Sequence, residues 1–250
     1  MRQLLPDARE MSIEDLAALM VVTQQPNRGW HARSNMIATI DGAIRGPSGT
    51  SVDISNSTDR AMLGMLRGIS DAVIIGSRNA LAQPYLPLPA KERWQALRRA
   101  HGMAPAPQLV VVTNSGLPVD APCFDADAAP TIVLTSERCS GDALNAMRTV
   151  ATVIVAGEDE VDFKAALTQL AQMGLWRVLC EGGPSLLAAT SAAGVLDEMC
   201  VTTASLWSGA AGETMTSVGL QPLPAPTDMT LARLLVDDDD YLYAHWVREN

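Results

Sequence analysis

"VLCEGGPSLL", residues 178–187, leaves a short apolar β-type run, crosses an acid, two glycines and a proline, and then resumes apolar residues at helical spacing. A buried strand turning at once into a helix is the repeating unit of α/β proteins. Glycine at such a corner lets the backbone approach another group closely, and the free N–H groups of the helix start suit an anion. An ordinary strand–helix corner can look the same, so the neighbouring elements must decide.

They repeat the unit. "DAVIIG" (71–76), "PQLVVVTNSG" (107–116), "PTIVLTS" (130–136) and "ATVIVAG" (151–157) carry short apolar runs of the kind expected where both faces of a sheet are covered. "HARSNMIAT" (31–39) reads as a further strand, ending near the turn pair Asp41-Gly42. Helical spacing marks "STDRAMLGMLRGIS" (57–70), "KERWQALRRA" (91–100) and "DFKAALTQLAQMG" (162–174), the last with a glycine stop. Residues 1–30 read as an N-terminal extension with a short helix over "SIEDLAAL". At the other end, "EMCVTTASL" (198–206) and "TLARLLVDDDDYLYAHWVRE" (230–249) read as antiparallel strands with an Asp-rich turn. The pattern predicts the α/β class: one domain over residues 31–250, its mixed, mostly parallel sheet flanked by helices and closed by a C-terminal antiparallel β-ribbon.

Composition narrows the function. The chain has 250 residues, 48% hydrophobic, enough for a sizeable core. A net charge of −10 argues against a nucleic-acid-binding face, while leaving room for a local arginine pocket that holds a phosphorylated small molecule. No apolar run approaches the roughly 20 residues of a membrane span, and "MRQLLPDARE" lacks a signal-peptide core, so a cytoplasmic location is expected. Cys123, Cys139, Cys180 and Cys200 form no C-x-x-C pair and are expected to be reduced, structural thiols. Four consecutive acids, Asp237 to Asp240, are expected to form a solvated hairpin tip rather than a metal site, and His31, His101 and His245 show no ligand spacing.

In open α/β sheets, ligands lie beyond the carboxyl ends of the strands. Gly76-Ser77-Arg78-Asn79, Thr113-Asn114-Ser115-Gly116 and Glu181-Gly182-Gly183-Pro184-Ser185 follow three of the predicted strands. Glycines to admit a diphosphate, hydroxyls and helix starts for its oxygens, and an arginine for a further phosphate make together the chemistry of a dinucleotide cradle. The pattern is not the Gly-x-Gly-x-x-Gly fingerprint.

Taken with Asn35-Met36-x-x-Thr39-x-Asp41-Gly42, Ser51-x-x-Ile54-Ser55, Asp59-Arg60, Leu66-Arg67, Asp71-Ala72-Val73-x-x-Gly76, Tyr85 and Asp197-Glu198, these residues resemble the pyrimidine reductase family of riboflavin biosynthesis over roughly residues 33–247. The resemblance implies a dihydrofolate-reductase-like fold, a homodimer, and NADPH-dependent reduction of a 5-amino-6-ribosylamino-uracil phosphate or a similar ribosylamino-pyrimidine phosphate. Dihydrofolate or another small carbonyl or imine substrate, and a non-catalytic nucleotide-binding relative, are the alternatives that share the fold. The resemblance implies Glu181, Asn35 and Asp41 at the reacting groups, with Ser51, Arg67 and Glu181 on the substrate. Ala38, Thr39, Asp53, Gly76, Arg78, Asn79, Thr113, Gly182, Gly183, Pro184, Ser185 and Leu186 would meet the cofactor, Arg78 at its 2′-phosphate. Three positions depart from the family pattern near the second strand end, Asn79, Leu81 and Gln83, and Asn35 stands where bifunctional members have lysine. The zinc deaminase domain of those members needs H-x-E and P-C-x-x-C, which residues 1–32 do not contain, so neither a deaminase nor a metal is expected.

Overall fold

The computed structural model describes residues 1–82, 88–124, 129–209, 214–216 and 225–249. Tyr85 and Gln83, named above, lie outside the described residues. The elements in chain order are β1 (Arg2–Leu5), β2 (Arg9–Glu10), α1 (Ile13–Met20), β3 (His31–Thr39), α2 (Ser57–Gly68), β4 (Ala72–Gly76), α3 (Ser77–Ala82), α4 (Glu92–Ala100) and β5 (Gln108–Val112). There follow β6 (Ile132–Thr135), α5 (Gly141–Met147), β7 (Thr152–Val155), α6 (Phe163–Gln172), β8 (Arg177–Cys180), α7 (Pro184–Ala192), β9 (Glu198–Ala204), β10 (Met229–Val236) and β11 (Leu242–Arg248).

The eleven strands of the described residues form one sheet in the order β2-β1-β10-β11-β9-β3-β8-β4-β5-β6-β7. From β9 to β7 every neighbour is parallel, and the remainder is antiparallel. The mixed sheet with its C-terminal ribbon is thus as the sequence pattern predicts. Period-two alternation explains why β4 is apolar throughout: Val73 and Ile75 face one core with Met65, Leu66 and Trp94, while Ala72 and Ile74 face a second with Phe163, Leu167 and Leu186. The helices α1, α2 and α4 cover the first face, and α6 and α7 the second. No helix among the described residues is long and apolar enough to cross a membrane.

β1 is hydrogen-bonded antiparallel to β10, which carries residues 2–5 into the sheet. α1 opens on a capping box in which Ser12 and Asp15 serve each other's backbone N–H. Asp237 corrects the expectation of a wholly solvated tip. It is buried, accepting from Tyr243 Oη at 2.7 Å and Asn56 Nδ2 at 2.8 Å, and only Asp238 to Asp240 are exposed. Burial pushes the Asp237 carboxyl up, and these donors outweigh it and hold it below the usual range. His31 and His245, far apart in the chain, meet at Glu198, each with Nε2 within 3.2 Å of a carboxylate oxygen. Arg33 pairs with the same carboxylate.

A buried ion pair locks the entry to β4 and β8. Arg177 Nη1 donates to both oxygens of Asp71 at 3.1 Å, and Asp71 Oδ2 also accepts the Arg177 N–H at 2.9 Å. Both side chains are at most 7% exposed. Asp71→Ala is expected to destabilise the protein by about 3–5 kcal/mol, since it strands a buried guanidinium. A urea midpoint unchanged from the parent protein would contradict this role.

Candidate active site

The sheet order makes β8, β4 and β5 neighbours, so the three chain segments that follow them converge. Gly76 N–H donates to Gly182 O at 3.0 Å, and Glu181 N–H donates to Ile74 O at 3.0 Å, which ties the Gly-Gly corner to the end of β4. Gly182 has φ +76°, and a Cβ there would lie 3.1 Å from Met36 Sδ. Only glycine takes that backbone without strain. A Cβ at Gly183 would lie 3.1 Å from Asn79 Oδ1. Gly183 caps α7 with no side-chain hydrogen bond, so the first N–H groups of that nine-residue helix have no capping oxygen.

Two clefts open above these strand ends. The first, about 520 Å³, is bounded by Gly76, Arg78, Asn79, Thr113 and Gly183 to Leu186, with Val161, Phe163 and Ala189 as an apolar wall. The second, about 360 Å³, is bounded by Asn35, Met36, Ser51, Ser55, Asp59, Arg60, Arg67 and Glu181. Arg45, Asn79, Gly183 and Pro184 border both, so the clefts meet at the Gly-Gly corner. The first is the larger, has Gly76 and Gly183 on its border and opens on the start of α7; the second is smaller and is bordered by more charged side chains.

Arg67 and Glu181 form a two-pronged ion pair, Nε to Oε1 and Nη2 to Oε2, both at 2.6 Å. Arg67 is 29% and Glu181 8% exposed. The sequence treats these residues separately, as a phosphate ligand and an acid. The structure makes them one unit at the foot of the second cleft. Arg60 sits at the exposed rim of that cleft, with Nη1 on Ser55 O at 3.0 Å.

Several expected site residues make hydrogen bonds within the scaffold. Asp41 borders neither cleft. It accepts Thr39 Oγ1 at 2.5 Å and the N–H groups of Ser208 and Gly209 at 3.1 and 2.8 Å, and the Thr39 donor foremost lowers its pKa. Thr39 is buried and also accepts the Ala43 N–H at 3.0 Å. Asp53 accepts the Ser48 N–H at 2.6 Å and braces the 46–50 loop, while Ala38 is buried within β3. None of these borders a cleft; the Thr39 and Asp53 side chains serve nearby turns, and Asp41 also ties its turn to the Ser208-Gly209 segment. Thr113 lies on the first cleft, with its hydroxyl in a turn to Ser115 and Gly116. Asp197 accepts the Ala32 N–H at 2.8 Å, a structural use. Conversely, no sequence pattern marks Arg45, in the loop after β3, although it borders both clefts.

The sheet order and paired clefts over the carboxyl ends define a dihydrofolate-reductase-like α/β protein. A family model described as the RibD C-terminal domain matches residues 31–243, and the chain belongs to this family. It is 31% identical over 167 residues to the 2,5-diamino-6-ribosylamino-4(3H)-pyrimidinone 5′-phosphate reductase of Archaeoglobus fulgidus, covering 66% of this chain and 75% of that protein. It is also 31% identical over 154 residues to the riboflavin biosynthesis protein RibD of Chlamydia trachomatis, of which it covers 39%. A pyrimidine reductase-like protein from Corynebacterium diphtheriae superposes with a TM-score of 0.79 at 21% identity, over 94% of this chain and 99% of that one. Acinetobacter baumannii RibD superposes with a TM-score of 0.68 at 19% identity, over 89% of this chain and 59% of that one.

Proposed function

We propose that the chain is an NADPH-dependent reductase of a ribosylamino-pyrimidine phosphate in riboflavin biosynthesis. The observation that carries this reading is the meeting of the two clefts at Asn79, Gly183 and Pro184, above three adjacent strand ends. Joined clefts of this kind let a dinucleotide and a second, phosphorylated ligand touch at one point, which transfer between them requires. The printed names of the curated relatives supply the substrate class.

On this reading the uncapped start of α7, at Ser185 and Leu186, receives the cofactor diphosphate. Gly76 and Gly183 keep that floor low, and Arg78 with Asn79 forms the wall where a 2′-phosphate would sit. The nicotinamide supplies a hydride when bound; the protein's part is to hold and orient. Asn35, Ser51 and the Arg67–Glu181 pair then fix the substrate, with Arg60 and Arg45 offering cations for its phosphate. The reading includes a cytoplasmic homodimer, and the four free, buried thiols suit a reducing compartment.

The direct test is the fall in 340 nm absorbance when protein, NADPH and the ribosylamino-pyrimidine phosphate are mixed, with dihydrofolate as the comparison. Absence of oxidation with the pyrimidine would refute the assignment. Arg78→Ala is expected to weaken NADPH binding about tenfold or more and to leave NADH binding nearly unchanged, because only NADPH presents the extra phosphate. Fluorescence titration with both nucleotides measures the ratio.

A further inference from the structure

Arg98, in α4, is buried to 1% exposure and borders neither cleft. Its guanidinium makes no ion pair among the described residues, and its hydrogen bonds all go to backbone carbonyls. Nε donates to Ala104 O at 2.6 Å, and Nη1 lies 2.7 Å from Ser70 O, 3.0 Å from Gly68 O and 3.3 Å from Arg67 O. Among the described residues Nη2 has no hydrogen-bond partner. Burial lowers the pKa of this guanidinium, and the nearby Asp71 charge opposes the shift. A buried cation held only by neutral groups is costly, and an apolar side chain would fill the same space without that cost.

Its place in the fold shows what it holds. The last carbonyls of a helix have no partner within the helix, and a cation is favourable there. At the end of α2, Ser70 serves two of them, with Oγ on Leu66 O at 2.8 Å and N–H on Arg67 O at 3.3 Å. Arg67 is the basic residue of that last turn, but its guanidinium is turned away onto Glu181. Arg98 supplies the cation instead. Trp94, one turn earlier in α4, seats the two helices together: a Cβ at Gly68 would lie 2.6 Å from Trp94 Cγ. α4 therefore clamps the backbone that carries Arg67.

Both prongs from Arg67 to Glu181 measure 2.6 Å, so a backbone shift of about 1 Å would carry a prong beyond hydrogen-bond length. Misplacement of that size costs up to about a hundredfold in rate. Resting on the reductase reading, we propose that Arg98 is a positioning residue of the second cleft: from outside the cleft it fixes the end of α2, so that Arg67 meets Glu181 and the substrate in line.

Arg98→Lys keeps the charge but loses the planar fork that reaches Ala104 and the end of α2 at once. With NADPH saturating, this change is expected to raise KM for the ribosylamino-pyrimidine phosphate about tenfold, while NADPH affinity in a fluorescence titration stays within about twofold. A residue serving only the fold would lower the amount of active protein, hence kcat, and leave KM as it is. The same change is then made in a Glu181→Gln background, where the fork is already broken. There Arg98→Lys should alter kcat/KM by less than about twofold, because the contact it acts through is gone. A parent-like KM in Arg98→Lys, an equal loss of NADPH affinity, or a further loss of about tenfold in the Glu181→Gln background overturns the proposal. If Arg98→Lys does not fold, Arg98→Gln, which buries no charge, goes through the same comparison and the same outcomes decide. A parent protein that turns over no pyrimidine refutes the reductase reading and this role with it. Turnover by the parent together with a parent-like KM in the variant spares that reading and removes only the role of Arg98.

Discussion

Glu181→Gln is expected to lower kcat/KM for the pyrimidine substrate by about a hundredfold or more while leaving NADPH affinity within about twofold. The amide would present one oxygen and one NH2 to the two donors with which Arg67 now grips the carboxylate. One of those contacts becomes donor against donor, and the guanidinium swings off its present line. Glu181 borders the second cleft and not the first, which is why the two ligands should respond differently. Because Arg67 retains 29% exposure, solvent screens part of the loss, and the stability change is expected to be about 1–2 kcal/mol rather than that of a fully buried pair. Arg67→Lys should mimic the effect, for an ammonium keeps the charge and loses the fork. In the double variant the losses should not add, since each change alone already breaks the pair. Additive losses, or full activity in Glu181→Gln, would separate the residues again.

The second large effect belongs to Gly182→Ala. The left-handed backbone at φ +76° adds roughly 1–2 kcal/mol for any residue bearing a Cβ. The new methyl would also press on Met36 Sδ, 3.1 Å away, on the wall of the second cleft. Relief requires the corner to move, and Gly182 O holds the Gly76 N–H at the end of β4. Both clefts share the neighbouring Gly183, so this change should weaken NADPH and substrate together, each by about tenfold or more. Titration of NADPH, and KM for the pyrimidine with NADPH saturating, would show it. A variant that binds both normally would mean that the corner is an ordinary turn after all.

These two expectations differ in how they could be reached. Gly182 is legible in sequence, because two glycines between an apolar strand and a helix mark a corner whose backbone a side chain would strain. The Arg67–Glu181 pair is not: 114 residues separate its members, and nothing local to either announces the other. The same holds for Asp237, which looks like one of four solvated acids and is drawn inward by Tyr243 and Asn56. It holds also for β1, whose four residues gain strand character from β10 rather than from their own composition. Asp41, Thr39 and Asp53 belong to motifs that the resemblance assigns to the site, and the motifs do not announce that their side chains are hydrogen-bonded to Ala43, Ser48, Ser208 and Gly209.

By itself the sequence determined the alternation of buried strands and helices, the C-terminal ribbon and the glycine corner, because burial pattern and backbone conformation are local properties of residue type. Only the tertiary structure decided that β8, β4 and β5 lie side by side, that two clefts meet above them, and that Arg67 grips Glu181. The reason is that a charged side chain takes its partner from whatever the packed strands and helices bring within about 3 Å, and that proximity is set by the order of strands across the sheet, not by position along the chain.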